Sequence, residues 1–236
     1  MIILQNKELS ITDTCVYLND KLWRFKYFFA VDVSTEELDE LLSSGWRKFG
    51  IYFFKPHCES CQACIPLRVC IDSFTLSKSQ KRIIKNGKDI TVIFNELEYR
   101  DEIYEIYKKH SIEKFNIETN HDDFLFSFYR KSCRSLQSEY YVDNKLIGIG
   151  FIDISQNGLN SIYFAYDTEY SAYSLGTFSI LKEIEYAKSL SLSYYYLGYW
   201  IDKNKSMAYK NQFKPNEKYD WQQEIWIPGS DYSLKP

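Results

Sequence analysis

"LNSIYFAYDTEYSAYSLGTFSILKEIEYAKSLSLSYYYLGYW", Leu159–Trp200, is the stretch that decides how this chain folds. It opens with a run rich in Ile, Tyr and Phe and closes with another, "LSYYYLGYW", both of strand-like composition. Between them "GTFSILKEIEYAKSLS" sets Ile180, Leu181, Ile184 and Ala187 at helical spacing, so one helical face is apolar. A strand, a helix of roughly 15 residues and a second strand make a βαβ unit, which predicts a parallel pair. Upstream, "SEYYVDNKLIGIGFIDIS" (Ser138–Ser155) is also strand-like, and Asn157-Gly158 supplies a hairpin turn into the next strand. The second half therefore reads as an antiparallel meander followed by a crossover.

Working towards the N-terminus, "DDFLFSFYRKSC" (Asp122–Cys133) and "YRDEIYEIYKKHSIEKF" (Tyr99–Phe115) read as helices. "SKSQKRIIKNG" (Ser77–Gly87) has Ser77 and Gln80 at capping-box spacing and a stop at Asn86-Gly87. Within it Lys78, Lys81, Arg82 and Lys85 share one helical face. "STEEL" (Ser34–Leu38) starts another helix, expected to run to about Ser44 and stop at Gly45. "KFGIYFFKP" (Lys48–Pro56) and "IPLRVCI" (Ile65–Ile71) each read as a strand, with Cys58, Cys61 and Cys64 in the loop between.

The chain has 236 residues, 45% hydrophobic and 26% charged, enough for a sizeable core in one domain or two lobes. A net charge of −3 excludes a generally basic nucleic-acid coat, so any such contact needs a local patch. Aromatics reach 18%, with 21 Tyr suited to walls and core, where the ring is buried and the hydroxyl paired. There is no signal-peptide pattern and no apolar run of about 18 residues, so a cytoplasmic protein with no membrane partner is expected. In that compartment the cysteines are expected as thiols or metal ligands, not disulfides.

Five stretches carry a resemblance: "CVYL" (Cys15–Leu18), "FKPHCESCQACIPLRV" (Phe54–Val69), "FTLSKSQKRIIKN" (Phe74–Asn86), "YFAYDTEYSAYSLGTF" (Tyr163–Phe178) and "YYYLGYWIDKNKSMAYKNQFKP" (Tyr194–Pro215). In this order, over nearly the whole chain, they resemble the bacterial aminoacyl-tRNA–protein transferases, the leucyl- and arginyl-transferases of the N-degron pathway. The resemblance implies an α+β, GNAT-like acyltransferase fold. An N-terminal lobe, 1–90, would carry the cysteine loop and basic helix, and 91–236 would be the GNAT-like catalytic domain. It also implies transfer of leucine or arginine from charged tRNA to the N-terminal amine of proteins beginning with Asp or Glu, marking them for degradation. The C-x-x-C-x-x-C form is closest to the leucyl branch. Two positions depart from the family pattern: Thr168 stands where Pro usually follows Asp, and Ser206 where Lys usually precedes Met. The second removes a charge near a loop that would meet tRNA.

The implied reaction turns an ester into an amide and needs no ATP. An N-terminal amine titrates near 7.7–8.0, so roughly a tenth to a sixth is neutral at pH 7 and no strong base is required. Positioning matters more, contributing up to roughly 7–11 kcal/mol in favourable models. No Ser-His-Asp or G-x-S-x-G arrangement is present, so covalent catalysis is not expected. For the tRNA acceptor end the candidates are Ser77, Lys78, Ser79, Lys81, Arg82 and Lys85. Trp200, Tyr209 and Lys210, with Lys203 and Lys205 nearby, offer stacking faces and charge. A solvated lysine face and an aromatic core are the bland alternatives. Arg68, then Arg82, are candidates for reading the acceptor's carboxylate, against an internal salt bridge. The GNAT-like plan puts the reacting centre at Asp167, Gly176 and Thr177, with Asp167 as proton acceptor and the helix start stabilising an oxyanion. "SLGT" lacks the repeated Gly of a CoA pyrophosphate loop, which counts against the rival reading, a CoA-dependent N-acyltransferase.

Cys58, Cys61 and Cys64 could face one zinc ion or an Fe–S cluster, with Cys15, Cys70 or His57 as fourth ligand. Reduced thiols packing a tight loop, or a redox sensor with no enzymatic role, are the alternatives. No cofactor is expected to be required for transfer.

Overall fold

The computed structural model describes residues 1–233; residues 234–236 of the expected second domain lie outside it. In chain order its elements are β1 (Ile2–Leu9), β2 (Asp13–Thr14), β3 (Leu22–Trp23), β4 (Phe25–Val31), α1 (Thr35–Ser43), β5 (Arg47–Phe49), β6 (Tyr52–Pro56), β7 (Ile65–Cys70) and α2 (Lys78–Asn86). There follow β8 (Thr91–Glu96), α3 (Asp101–Phe115), α4 (His121–Phe128), β9 (Ser135–Val142), β10 (Lys145–Ile154), β11 (Gly158–Tyr166) and α5 (Leu175–Ser189). The last are β12 (Tyr194–Trp200), α6 (Lys205–Ala208), β13 (Asn216–Asp220) and β14 (Ile225–Pro228).

Local chemistry explains the helix starts. Ser34 and Glu37 form a complete capping box on α1, and Ser77 and Gln80 form one on α2. Two stretches read as single strands are hairpins instead. "SEYYVDNKLIGIGFIDIS" folds back at Asp143-Asn144, both at positive φ (49° and 63°), giving β9 and β10. Such a turn matches the strand twist, and Asn and Asp tolerate the conformation. "KFGIYFFKP" breaks at Gly50, φ 53°, into β5 and β6; a Cβ there would lie 2.0 Å from the Phe126 carbonyl oxygen.

The fold is mixed α+β. A large sheet of eight strands runs β14-β13-β7-β12-β11-β10-β9-β8, and a four-stranded sheet runs β1-β4-β6-β5. In the large sheet only β11 and β12 are parallel, as the crossover predicts. β7, from the expected N-terminal lobe, is an interior strand of this sheet, between β12 and β13. α5 packs Ile180, Leu181, Ile184 and Ala187 into the main apolar core with Leu67, Val69 and Tyr195. At about 25 cal/mol per Å² of apolar area, this burial is what holds helix to sheet.

The parallel pair is short. β11 and β12 register only at Gly158↔Tyr194, Leu159↔Tyr195 and Asn160↔Tyr196. Beyond Asn160 the strands part. β12 bulges at Gly198, φ 83°, where its register against β7 shifts. β11 continues to Tyr166, and a 3₁₀ turn, Thr168–Tyr173, leads into α5. The opening between the strands therefore faces the end of the sheet where α5 begins.

Candidate active site

Two cations occupy that opening. Arg47, at the start of β5, donates to the Asn160 side chain and to the Ser161 carbonyl, the next along β11 after pairing ends. Lys210 donates from Nζ to the Tyr199 carbonyl on β12 at 3.0 Å. Both cations lie over Gly198: a Cβ there would be 3.3 Å from Arg47 Nη2 and 3.4 Å from Lys210 Nζ. Each is half-buried, and neither forms an ion pair with a carboxylate among the described residues. Burial, with Arg47 beside it, brings the Lys210 ammonium down to about 7. The nearby Asp153 is already engaged. Fully buried, it binds Lys48 Nζ at 3.0 Å and accepts from Ser135 and Asn160.

On the opposite face of the sheet lies a buried carboxylate. Glu183, on α5 and 1% exposed, accepts from the Tyr195 hydroxyl at 2.6 Å and from Ser138 at 3.4 Å. Burial raises its carboxyl to about 7, against the lowering effect of Tyr195, Ser161 and Ser138 hydroxyls. Ser161 thus touches the opening on both faces: its carbonyl meets Arg47 and its hydroxyl reaches Glu183.

Beside the opening is an apolar cavity of about 320 Å³. Its wall combines Trp23, Phe49, Tyr52 and Phe54 of the small sheet's neighbourhood with Tyr17 and the cysteine loop. No acidic residue lines it. Tyr199 connects it to the cations, being within electrostatic reach of Arg47 on one side and of Cys64, Tyr17 and Tyr52 on the other. Cys15, Cys58, Cys61 and Cys64 all line this cavity. Burial pushes the Cys64 thiol up to about 12. Four thiols suit zinc or an Fe–S cluster by donor chemistry. Among the described residues no three candidate ligands converge as a metal site. Cys70 lies apart, on β7 facing Tyr194 across the ladder.

The sequence-derived candidates are distributed as follows. Ser77, Lys78, Ser79, Lys81, Arg82 and Lys85 are all exposed on α2, which packs against α5. A Cβ at Gly176 would meet open space, and Ser174, the N-cap of α5, makes no side-chain cap bond, but the Thr177 N–H is already committed to the Ser174 carbonyl at 2.9 Å, which takes it out of the expected set of oxyanion donors. Asp167 is heavily paired. Burial alone would raise its carboxyl, but Lys109 at 2.7 Å, the Glu169 N–H and Lys145 hold it below the usual range. That makes it a poor proton acceptor.

Four assignments are revised. Arg68, 9% exposed, binds Glu217 at 2.7 Å and is sandwiched between Tyr194 (3.6 Å) and Trp226 (4.3 Å), leaving no free fork for an acceptor carboxylate. Trp200 is 4% exposed, in the core under Lys218, and offers no face to a base. Lys210 turns inward, away from the exposed Lys203 and Lys205. Tyr209 packs on the main core, where burial pushes its hydroxyl up to about 12.

Sequence reasoning passed over Arg47, Lys48 and Glu183. A signal existed for each. Arg47-Lys48 puts two cations at the entry to an apolar strand, and Glu183 interrupts the apolar face formed by Ile180, Ile184 and Ala187.

The aspartate/glutamate leucyltransferase of Campylobacter jejuni subsp. jejuni (serotype O:6) is 35% identical over 215 residues, covering 88% of this chain and 90% of that protein. The enzyme of the same description from Helicobacter hepaticus is 34% identical, covering 86% and 87%. Among solved structures, L-PGS from Bacillus licheniformis superposes with a TM-score of 0.49 at 10% identity, over 83% of this chain and 69% of that one. Residues 13–82 match the family described as Arginine-tRNA-protein transferase, N terminus, and residues 100–220 its C-terminus counterpart. These two matches span both the cysteine loop and the splayed strands, and the chain belongs to the arginine-tRNA–protein transferase family.

Proposed function

We propose that this protein transfers leucine from leucyl-tRNA to the N-terminal amine of proteins beginning with Asp or Glu. The observation that carries the choice of leucine is the apolar cavity beside the splayed strands, which has no acidic residue in its wall. A leucyl side chain gains from burial there, at roughly 1.5–3 kcal/mol. An arginyl side chain would bring a guanidinium with no carboxylate to meet it, a severe desolvation cost. The relatives from Campylobacter jejuni and Helicobacter hepaticus, both aspartate/glutamate leucyltransferases, favour the same donor.

The fold is read as GNAT-like, on the strength of the parallel β11–β12 pair that opens beyond Asn160 and the crossover helix α5. The lobes are read as 1–90 and 91–236, with β7 shared. In this mechanism α2 holds the tRNA acceptor end with Lys78, Lys81, Arg82 and Lys85, aided by Ser77 and Ser79. The start of α5 offers the Gly176 N–H to the oxyanion of the tetrahedral intermediate, while the Thr177 N–H stays with the Ser174 carbonyl. The neutral fraction of the amine attacks the ester carbonyl, and the amine proton passes to a carboxylate. Glu183, held near 7 and linked to the opening through the Ser161 hydroxyl, suits that role better than Asp167. The tRNA 3′-oxygen leaves and the amide remains. A leucine at the new N-terminus would mark the acceptor for degradation. The chain is read as cytoplasmic: tRNA and nascent acceptors are there, and among the described residues no helix is long and apolar enough to cross a membrane.

The test is a side-by-side assay with radiolabelled leucyl-tRNA, arginyl-tRNA and acetyl-CoA on peptides beginning with Asp, Glu or Ala. Transfer is expected from leucyl-tRNA alone, and to Asp and Glu alone. Equal or faster transfer from arginyl-tRNA would reverse the reading of the cavity, and transfer from acetyl-CoA alone would replace the reaction.

A further inference from the structure

Cations drawn out of water normally sit against a carboxylate, because an unpaired charge that loses hydration is costly. Lys48 obeys this rule with Asp153. Arg47 and Lys210 do not. Both are turned into the same small space over Gly198, and among the described residues both are met only by neutral oxygens: Asn160 and the Ser161 carbonyl for Arg47, the Tyr199 carbonyl for Lys210. Arg68, the cation first expected to read a carboxylate, already has Glu217. The one local carboxylate that could have served Arg47, Asp153, is saturated by Lys48, Ser135 and Asn160.

The geometry points to Arg47 and Lys210 as the pair that reads the side-chain carboxylate of an acceptor's N-terminal Asp or Glu. This rests on the proposed transfer reaction and locates its acceptor specificity. Three features favour it. First, the pair repels itself when empty, and a single anion between the two relieves that repulsion. Second, both cationic groups lie against the same residue, Gly198, at a strand bulge, close enough together for one carboxylate to bridge them. Third, the pair stands at the opening, with the apolar cavity on one side by way of Tyr199 and Ser161 leading to Glu183 on the other. A carboxylate held here leaves the α-amine of the same residue, three bonds from the carboxyl carbon in Asp and four in Glu, beside the opening. A tRNA phosphate is the competing anion, but the exposed cations of α2 answer to that need without desolvation.

The experiment measures equilibrium binding of fluorescent peptides, differing only in an N-terminal Asp or Asn, to the full chain without tRNA. The wild type is expected to bind the Asp peptide at least about tenfold more tightly, as suits a charge-assisted contact. Lys210→Gln is expected to abolish that gap, and Lys210→Arg to keep most of it. Should Lys210→Gln fail to fold by circular dichroism, Arg47→Lys takes its place, expected to narrow the gap several-fold by losing the planar fork. A wild type with no gap, or a gap untouched in the folded variants, overturns the assignment. So does a Lys210→Gln protein that keeps the gap yet binds leucyl-tRNA with a shallower salt dependence, for then the pair serves a phosphate. Because binding is read without transfer, a protein that discriminates Asp from Asn but moves no leucine would refute the reaction while leaving the carboxylate site standing.

Discussion

The cations of α2 and those around the splayed strands are held in opposite ways. On α2, Lys78, Lys81, Arg82 and Lys85 stand in water on a helix whose capping box and apolar Ile83 and Ile84 do the structural work. Around β11 and β12, Lys48, Arg47 and Lys210 are built into the fold through hydrogen bonds to strand atoms and to Asp153. A charge in water can be removed cheaply and tunes only what it meets. A charge inside cannot be removed without disturbing the backbone it satisfies.

The comparison would break first at Lys48. Lys48→Ala leaves Asp153 buried and unpaired and is expected to cost about 3–5 kcal/mol in urea unfolding; Lys81→Ala should stay within about 0.5 kcal/mol. Comparable losses from both would erase the distinction.

Glu183 sharpens the same point for an interior carboxylate. Its folded carboxyl lies near 7, above the usual 4.5, so the folded protein holds a proton that the unfolded chain releases first. The stability this gives is fully present below about 4.5 and is lost as pH rises through about 7. Glu183→Gln should flatten that fall in melting curves taken from pH 4.5 to 8. In single-turnover assays it should slow transfer about 100-fold and remove the limb near pH 7. An unchanged pH profile would take Glu183 out of the chemistry.

For α2, the double change Lys81→Ala/Arg82→Ala should weaken leucyl-tRNA binding about tenfold at 0.1 M salt and reduce the log–log salt slope by roughly 1.4–1.8. Its effect on the unfolding midpoint should be negligible, and a slope equal to wild type would move the tRNA elsewhere. The smallest expected effect is Ser77→Ala, which removes half of the α2 capping box and about 1 kcal/mol by chemical denaturation.

What could be read from the chain in advance follows this division. The α2 stripe, both capping boxes and the parallel crossover are local patterns, and the residues that make them are neighbours in sequence. The hairpin at Asp143-Asn144 was legible in principle, since two adjacent turn-formers flank it, but the apolar run around it reads as continuous. Arg47 and Lys210 meet over Gly198 only because β5 and the turn after α6 close on the same opening, and no spacing rule links them. Arg68 misled for a related reason. A cation inside a family motif looks available until Glu217, Tyr194 and Trp226 arrive from distant parts of the chain.

The place of β7 bears on how the protein is made. Ile65, Leu67 and Val69 are fully buried, yet both sheet neighbours, β12 and β13, come from the far end of the chain. A ribosome that has finished the cysteine loop has exported an apolar strand with nothing to pair with, and it stays so until Tyr194–Trp200 and Asn216–Asp220 emerge. The two halves thus cannot mature one after the other as independent units. β7 is left unpaired during synthesis, open to chaperones and aggregation, until it receives β13 and β12, the strand that also carries Gly198.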